Sequence, residues 1–311
     1  MIDIKKIDSN KLTRFSTSFI FKILCYAMLV AMCFVFLYPF IYMMATSLKS
    51  YPDLMNAAVY LIPRSFEWVN YKTAFEAVNY VQSLGNSVFM TVICSVAHVF
   101  VCSMVGYGFA RFKFGGRGAL FFVVVLSILI PAQVLIIPQY FVYAQVGLTR
   151  SSLPMILPCF FGYGLRGGLF IFLYRQYFLR FPKTLEEAAR IDGCTPMRAY
   201  WSVAFPTASS QTLVTVMLSA VWHWNDYFEP TIYLKNYKQF LLPQRLPELY
   251  ALISSMEKGG NTGGDLSSIQ FIYHEGVVMA GTVIVLVPLL IMYIILQRRF
   301  VEGVERSGLV E

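Results

Sequence analysis

Six runs of apolar residues, almost free of charge, divide the chain. They extend from Ile23 to Leu48, from Asn86 to Ala110, within Ala119 to Thr149, within Leu153 to Tyr174, from about Ala204 to Trp222, and from Gly276 to Gln297. A helix rises about 1.5 Å per residue and the hydrocarbon core of a bilayer is about 30 Å thick, so each run can cover it. The fourth and fifth runs are the most dilute. Gly, Ser and Thr interrupt them, and Arg166 stands inside the fourth. The pattern predicts an all-α integral membrane protein with six transmembrane helices. Its tails are 1–22 and 298–311, its first helix is 23–48, and an outer loop over 49–85 precedes a five-helix core over 86–297. A cleaved signal peptide is the rival reading of the first run, because Lys5, Lys6, Lys11, Arg14 and Lys22 make a basic flank. Its apolar stretch is far longer than the 7–15 residues of a signal peptide, which favours a retained helix.

Composition changes the picture only by exclusion. Of 311 residues, 57% are hydrophobic and 14% charged, against about 45–50% and about 25% in soluble domains. With a mean hydropathy of +0.60, too little polar surface remains to cover a soluble globule. The six cysteines (Cys25, Cys33, Cys94, Cys102, Cys159, Cys194) form no CxxC pair, and five lie in apolar runs. They read as reduced, small apolar residues, which argues against disulfide and zinc frameworks and assigns no metal site.

The net charge of +8 is a topology signal, with no Lys/Arg run of the nucleic-acid type. Six spans put both termini on one side. That side collects 16 Lys/Arg, in the N-terminal tail, the loops 111–118 and 175–203, and the C-terminal tail. The other side collects 8 in 49–85, 145–153 and 225–275. The positive-inside bias places both termini in the cytoplasm.

The loop between the fourth and fifth runs carries its own signals. It reads Phe181-Pro182-Lys183-Thr184-Leu185-Glu186-Glu187-Ala188-Ala189-Arg190-Ile191-Asp192-Gly193. Thr184 with Glu187 three residues on forms a capping-box pattern, and Gly193 is a natural helix stop. Thr195-Pro196 then offers a second helix start, with Pro206 at the entry to the fifth span. The loop should form an L of two short helices around a glycine corner. Such a short helix is not stable alone and must dock. Ala188 and Ala189 leave a smooth patch, with Glu186, Glu187, Arg190 and Asp192 as charged edges. This describes either a plug for a groove on a cytoplasmic partner or an amphipathic connector on the headgroups.

Glu187-Ala188-Ala189, three residues, Gly193, nine residues and Val203-Ala204-Phe205-Pro206 resembles the EAA loop of bacterial ABC-importer permeases, EAA-x3-G-x9-I-x-LP. Val203 and Phe205 replace the usual Ile and Leu. Tyr107-Gly108-Phe109-Ala110-Arg111-Phe112 with Gly116-Arg117 is similar to the segment after the second span in carbohydrate permeases of the maltose type. So are Phe172 to Phe178, Trp222 to Asp226, Met279-Ala280-Gly281 with Pro288, and Asn70-Tyr71. The similarity covers about 66–302. It implies the type-1 permease fold, in the bacterial inner membrane, with a coupling loop over 181–206 and an outer loop over 226–275. It also implies a heterodimer with a second permease, two ATPase subunits that hold ATP and Mg, and an extracytoplasmic solute-binding protein. This chain itself would bind no cofactor and catalyse nothing. The coupling residues would be Glu186, Glu187, Ala188, Ala189, Arg190, Asp192 and Gly193. Gly303 to Glu311 departs from the small, basic ending common in the family.

Substrate residues are less marked. Trp222, Trp224, Asn225, Asp226 and Tyr227 combine aromatic faces with amide and carboxylate groups, as a sugar site needs. They equally suit an interfacial aromatic belt with an end-of-helix cap. Arg166 either faces a pathway or sits at the start of a helix opening near Gly168. His98 reads as an interhelical hydrogen-bonder. Pro131 and Pro138, seven apart, read as kinks on nearly one face. Gly259 to Gly264 marks a loop tip, and Leu241 to Ile253 a short surface helix for an external partner. The expected function is sugar or oligosaccharide import. The alternatives are a permease for an amino acid, peptide or anion, and a membrane-embedded enzyme or sensor without an ATPase.

Overall fold

The computed structural model describes residues 4–258 and 273–308, and every regular element among them is helical. The Gly259 to Gly264 tip and the last three residues lie outside this range. Contacts divide the chain into two compact units, 1–73 with 263–283, and 74–262 with 284–311.

In the first unit, α1 (Ile4–Ser47) is one helix of 44 residues. From Phe21 onward its side chains are largely exposed, as expected of a helix whose solvent is lipid. Its end is fixed by polar groups. The buried Asn70 amide donates to Ser47 O at 2.9 Å and Lys49 O at 2.8 Å, and Ser47 Oγ lies 2.8 Å from Tyr71 OH. Asn70 thus satisfies carbonyls left open at a helix end. The Lys49 ammonium is buried and donates to Val59 O and Tyr60 O at 3.0 and 2.6 Å. Helix α2 (Val69–Ala77) follows, and the last helix, α14 (Glu275–Gly308), begins in this unit. Burial holds the His274 imidazole, which precedes α14, down to about 4, so it stays neutral.

The second unit opens with α3 (Tyr80–Ala97), which continues through a π-helical turn at His98–Cys102 into α4 (Ser103–Arg111). Together they make a 32-residue apolar helix, about 48 Å long, and it overshoots a bilayer core. Helices α5 (Arg117–Leu129) and α6 (Ala132–Gln145) follow. They do not form one continuous helix with two kinks on one face. The chain turns by 106° between them, Pro131 stands at the corner and Pro138 lies inside α6. The fourth run is likewise two pieces, α7 (Leu153–Phe160) and α8 (Gly167–Arg180). The break at 161–166 is needed because Gly162 and Arg166 both take positive φ, +70° and +64°.

Then come α9 (Lys183–Ile191), α10 (Pro196–Ala199), α11 (Ser209–Asn225), α12 (Phe228–Tyr233) and α13 (Leu242–Lys258). Among the described residues three helices are long and apolar enough to cross a membrane, or four if α5 and α6 count as one bent span. The 17 residues of α11 reach about 26 Å, just short of the core. Helix α13 covers the predicted surface helix. Its first turn is docked on α3, where the buried Arg245 donates to Ser83 Oγ at 3.0 Å and Leu242 N donates to Ser87 Oγ at 2.9 Å.

The tightest packing in this unit is α4 against α8. Cys102, Gly106 and Ala110 recur every four residues and are buried, the small-residue spacing that lets membrane helices approach closely. A Cβ on Gly106 would lie 2.7 Å from Tyr174 Cβ and 2.9 Å from Arg175 N. Around this seam Phe170, Ile171, Tyr174, Phe178 and Tyr200 form the buried core. Gly106→Ala should therefore force the helices apart and cost about 1–3 kcal/mol. Thermal unfolding of the purified protein in detergent measures it, and an unchanged midpoint would show that the seam is slack.

Candidate functional site: a helix locked to the end of a span

Helix α9 sits where α4 and α8 end. Pro182, at φ −59°, occupies its N-cap, and no side chain caps it. The predicted capping box does not form: the helix starts at Lys183, two residues before a Thr184 cap would allow, which puts Thr184 inside the first turn. Its other end follows the sequence. Gly193 takes φ +82°; Cys194 N donates to Ala189 O at 2.9 Å and Gly193 N to Arg190 O at 3.0 Å. These are the two bonds of a Schellman stop, and the positive φ is why a glycine stands there. Thr195 then caps α10, accepting from Arg198 N at 3.3 Å, with Pro196 in the first helical position. A π-helical turn at Tyr200–Ala204 follows. Pro206 lacks the N–H that Ser202 O would otherwise accept, so the widened turn falls where an α-helix could not continue unchanged.

The decisive contact is a buried ion pair. Arg111 Nε donates to Glu186 Oε1 at 2.7 Å, with both side chains only 5–6% exposed. Tyr107 OH donates to Glu186 Oε2 at 3.2 Å, and Arg111 Nη2 donates to Phe181 O at 2.7 Å. Each charge is matched and hydrogen-bonded, which burial of an ion requires. Ser103 Oγ and Tyr200 OH, 2.7 Å apart, make a second polar tie between α4 and the segment after α10.

This corrects the reading of the face. Glu186 is not an edge of the plug. It is turned into the chain, as is Ala189, so the alanine pair is split between the two sides. The outward surface holds Leu185, Glu187, Ala188, Arg190, Ile191, Asp192 and Met197, with Ile191 87% exposed. Beside it a cavity of about 370 Å³ is lined by Arg111, Lys113, Arg117, Lys183, Glu187 and Arg190.

The other candidate residues are dispersed. Arg166 is the N-cap residue of α8 and lies 5.5 Å from the Trp222 ring. Trp224 is buried and donates to Val285 O at 3.3 Å. Asn225 donates back to Val221 O, and Asp226 Oδ1 accepts from the Phe228 and Glu229 amides at 3.1 and 3.4 Å, the end-of-helix capping role. Tyr227 is exposed. Only Arg166 of this set lines the second cavity, about 340 Å³, whose polar groups include Gln133, Gln139, Tyr163, Glu229 and Tyr233. Burial, reinforced by neighbouring Asp226, pushes the Glu229 carboxyl up to about 7. Sequence reasoning missed Glu229 and Tyr233. They stand three and seven residues beyond Asp226, and nothing local marks them as facing a cavity formed by 127–169. His98 bonds between helices as expected, its Nδ1 3.0 Å from Ser219 Oγ on α11.

Apolar helices long enough to cross a bilayer, with a polar helix clamped to the end of one by a buried ion pair, mark an integral membrane protein. The chain belongs to the family of binding-protein-dependent transport system inner membrane components, whose pattern matches residues 102–306. Its relatives include the arabinooligosaccharides transport system permease protein AraQ of Halalkalibacterium halodurans, 28% identical over 88% of this chain and 91% of that one. They also include the probable starch degradation products transport system permease protein AmyC of Thermoanaerobacterium thermosulfurigenes, 28% identical over 86% and 89%. The fold matches a chain in the crystal structure of a bacterial ABC transporter involved in import of the acidic polysaccharide alginate. Its TM-score is 0.74 at 23% identity, covering 91% of this chain and 98% of that chain. The protein is thus a multi-pass permease of an ABC importer and not an enzyme. ATP hydrolysis belongs to a separate subunit.

If the ion pair holds α9, Arg111→Met should destabilise the protein by about 3–5 kcal/mol by leaving Glu186 buried and alone. Arg111→Met with Glu186→Leu should recover much of that loss. Denaturant unfolding of both single variants and the double variant tests this, and strictly additive costs would contradict it.

Proposed function

We propose that the chain carries a sugar or oligosaccharide across the membrane as one half of a pathway completed by a second permease. The carrying observation is the buried Arg111–Glu186 clamp, which makes α9 a rigid lever on the 32-residue α3–α4 helix. The two-to-one Lys/Arg bias across the loops supports six spans with both termini in the cytoplasm, and the exposed face of Glu187, Ala188, Arg190 and Ile191 supports docking of α9 on a cytoplasmic ATPase. The L of α9 and α10 around Gly193 would seat in a cleft of one of two ATPase subunits, which hold ATP and Mg. An extracytoplasmic binding protein would deliver solute on the side of α13. Closure of the ATPase pair would push α9, and the clamp would pass the movement to the end of α4.

The saccharide reading rests on relatives named for arabinooligosaccharides, starch degradation products and polygalacturonan/rhamnogalacturonan. The cavity beside Arg166 agrees with it. Two Gln amides and two Tyr rings suit hydroxyl groups and sugar C–H faces, and Arg166 and Glu229 add one charge of each sign.

Two outcomes are expected. Gly193→Pro cannot adopt φ +82°, and Glu187→Lys inverts the outward charge. Each should abolish uptake while membrane insertion and α4–α8 packing persist; wild-type uptake in either variant would sink the lever. Separately, the whole complex with its binding protein in proteoliposomes should show saccharide-stimulated ATPase activity in a panel of mono- and oligosaccharides. Arg166→Ala should weaken that stimulation, and Glu229→Gln should flatten its dependence on pH around about 7. A cavity outside the pathway would leave both responses unchanged.

A further inference from the structure

Midway along the continuous α3–α4 helix, away from α9, three sulfur and nitrogen ligands converge and a fourth nitrogen, His98 Nε2, lies beside them. Cys94 Sγ on α3, Cys159 Sγ on α7 and a ring nitrogen of His223 on α11 lie within 4.8 Å of one another, and all three residues are buried. Cys159 Sγ is 3.8 Å from His223 Nε2. Zn–S and Zn–N bonds of about 2.3 and about 2.05 Å at a tetrahedral angle put such atoms about 3.6 Å apart.

The His223 imidazole is set for ligation. His223 Nδ1 donates to Ser219 O at 2.8 Å. A carbonyl only accepts, so the proton sits on Nδ1 and the Nε2 lone pair faces the sulfurs. A backbone acceptor behind a histidine is the usual outer support of a metal ligand. His98 is fully buried, its Nδ1 is bound to Ser219 Oγ at 3.0 Å, and its Nε2 has no hydrogen-bond partner. That nitrogen and Cys159 Sγ flank one point. A Cβ on Gly164 would meet them at 2.9 and 2.5 Å, so only glycine leaves the space between them free.

We infer that Cys94, Cys159, His98 and His223 form a zinc site buried in the helix bundle. Two thiols would lose their protons, and Zn²⁺ with two thiolates and two neutral imidazoles carries no net charge. A low-dielectric interior favours that neutral set over a monovalent cuprous ion on the same ligands, which would leave one negative charge. The metal would staple α3, α7 and α11, joining the long helix to the shorter pieces beside it. No sequence signature announces it, because the ligands come from four positions spread over 130 residues.

The test uses the full chain purified in detergent and exposed to zinc, then desalted. Elemental mass spectrometry should find one zinc per chain. Cys159→Ser and His223→Gln should each lower bound zinc more than tenfold, while Cys33→Ser, on the exposed first helix, should keep it. Cobalt-loaded wild type should show the sulfur-to-cobalt charge-transfer band and intense visible absorption of a tetrahedral thiolate site, which needs no variant to fold. Zinc that is absent from wild type, or retained equally in Cys159→Ser, or cobalt spectra without sulfur ligation, would each overturn the assignment.

Discussion

One buried ion pair decides what the 181–208 segment can do. A helix of nine residues has no stability of its own, and α9 has no side-chain cap at its start. What fixes it is the Arg111–Glu186 contact with its two supporting hydrogen bonds, Tyr107 to the carboxylate and Arg111 to Phe181 O. Breaking such a pair leaves a bare charge in a dry site. The segment therefore cannot swing away from α4 cheaply, and under the proposed coupling a push on its outer face would reach the span directly. The seam of Cys102, Gly106 and Ala110 carries the same movement to α8, because backbones that touch have no slack to absorb it.

The parts of this arrangement were unequally legible in the sequence. Long apolar runs without internal breaks, the first, second and sixth, became single helices because length and hydropathy alone decide that outcome. The third and fourth runs did not. Pro131 turns the chain through 106°, and the positive φ of Gly162 and Arg166 ends a helix that hydropathy would continue. Such breaks depend on backbone conformations that composition only hints at. Gly193 was legible, since a glycine after a helix-forming run has a specific use. The role of Glu186 was not. Adjacent residues on a helix point about 100° apart, so one of Glu186 and Glu187 must face inward. Which one it is depends on Arg111, 75 residues earlier.

The same logic separates the two cavities. Trp222, Trp224, Asn225, Asp226 and Tyr227 form a motif by proximity in sequence, yet the structure uses them one by one. Trp222 lies against Arg166, Trp224 against α14, and Asp226 caps α12. The cavity beside Arg166 is assembled instead from residues on five separate helices and the break before α8. A site for a flexible, polyhydroxylated solute needs many weak, replaceable contacts. Such a site, as proposed for this cavity, would leave no dense local signature, unlike a helix proposed to match one partner groove.

The break at 161–166 gains a further meaning from this. It interrupts the fourth run where an unbroken helix would have continued, with the cavity lined by its residues and Cys159 and His98 flanking Gly164. Opening a helix inside a membrane exposes backbone groups that lipid cannot satisfy, so such a break persists only where protein or water meets it. Here Gly167 N donates to Tyr163 O and Gly164 O, and Tyr163 N donates to Pro158 O, so the turn satisfies itself. A self-satisfied break leaves Arg166 at the cavity and would let α7 and α8 move relative to each other without breaking a helix. The proposed α9 lever would need that freedom: a rigid input at one end of the bundle would change a pathway only if some element near its middle can yield.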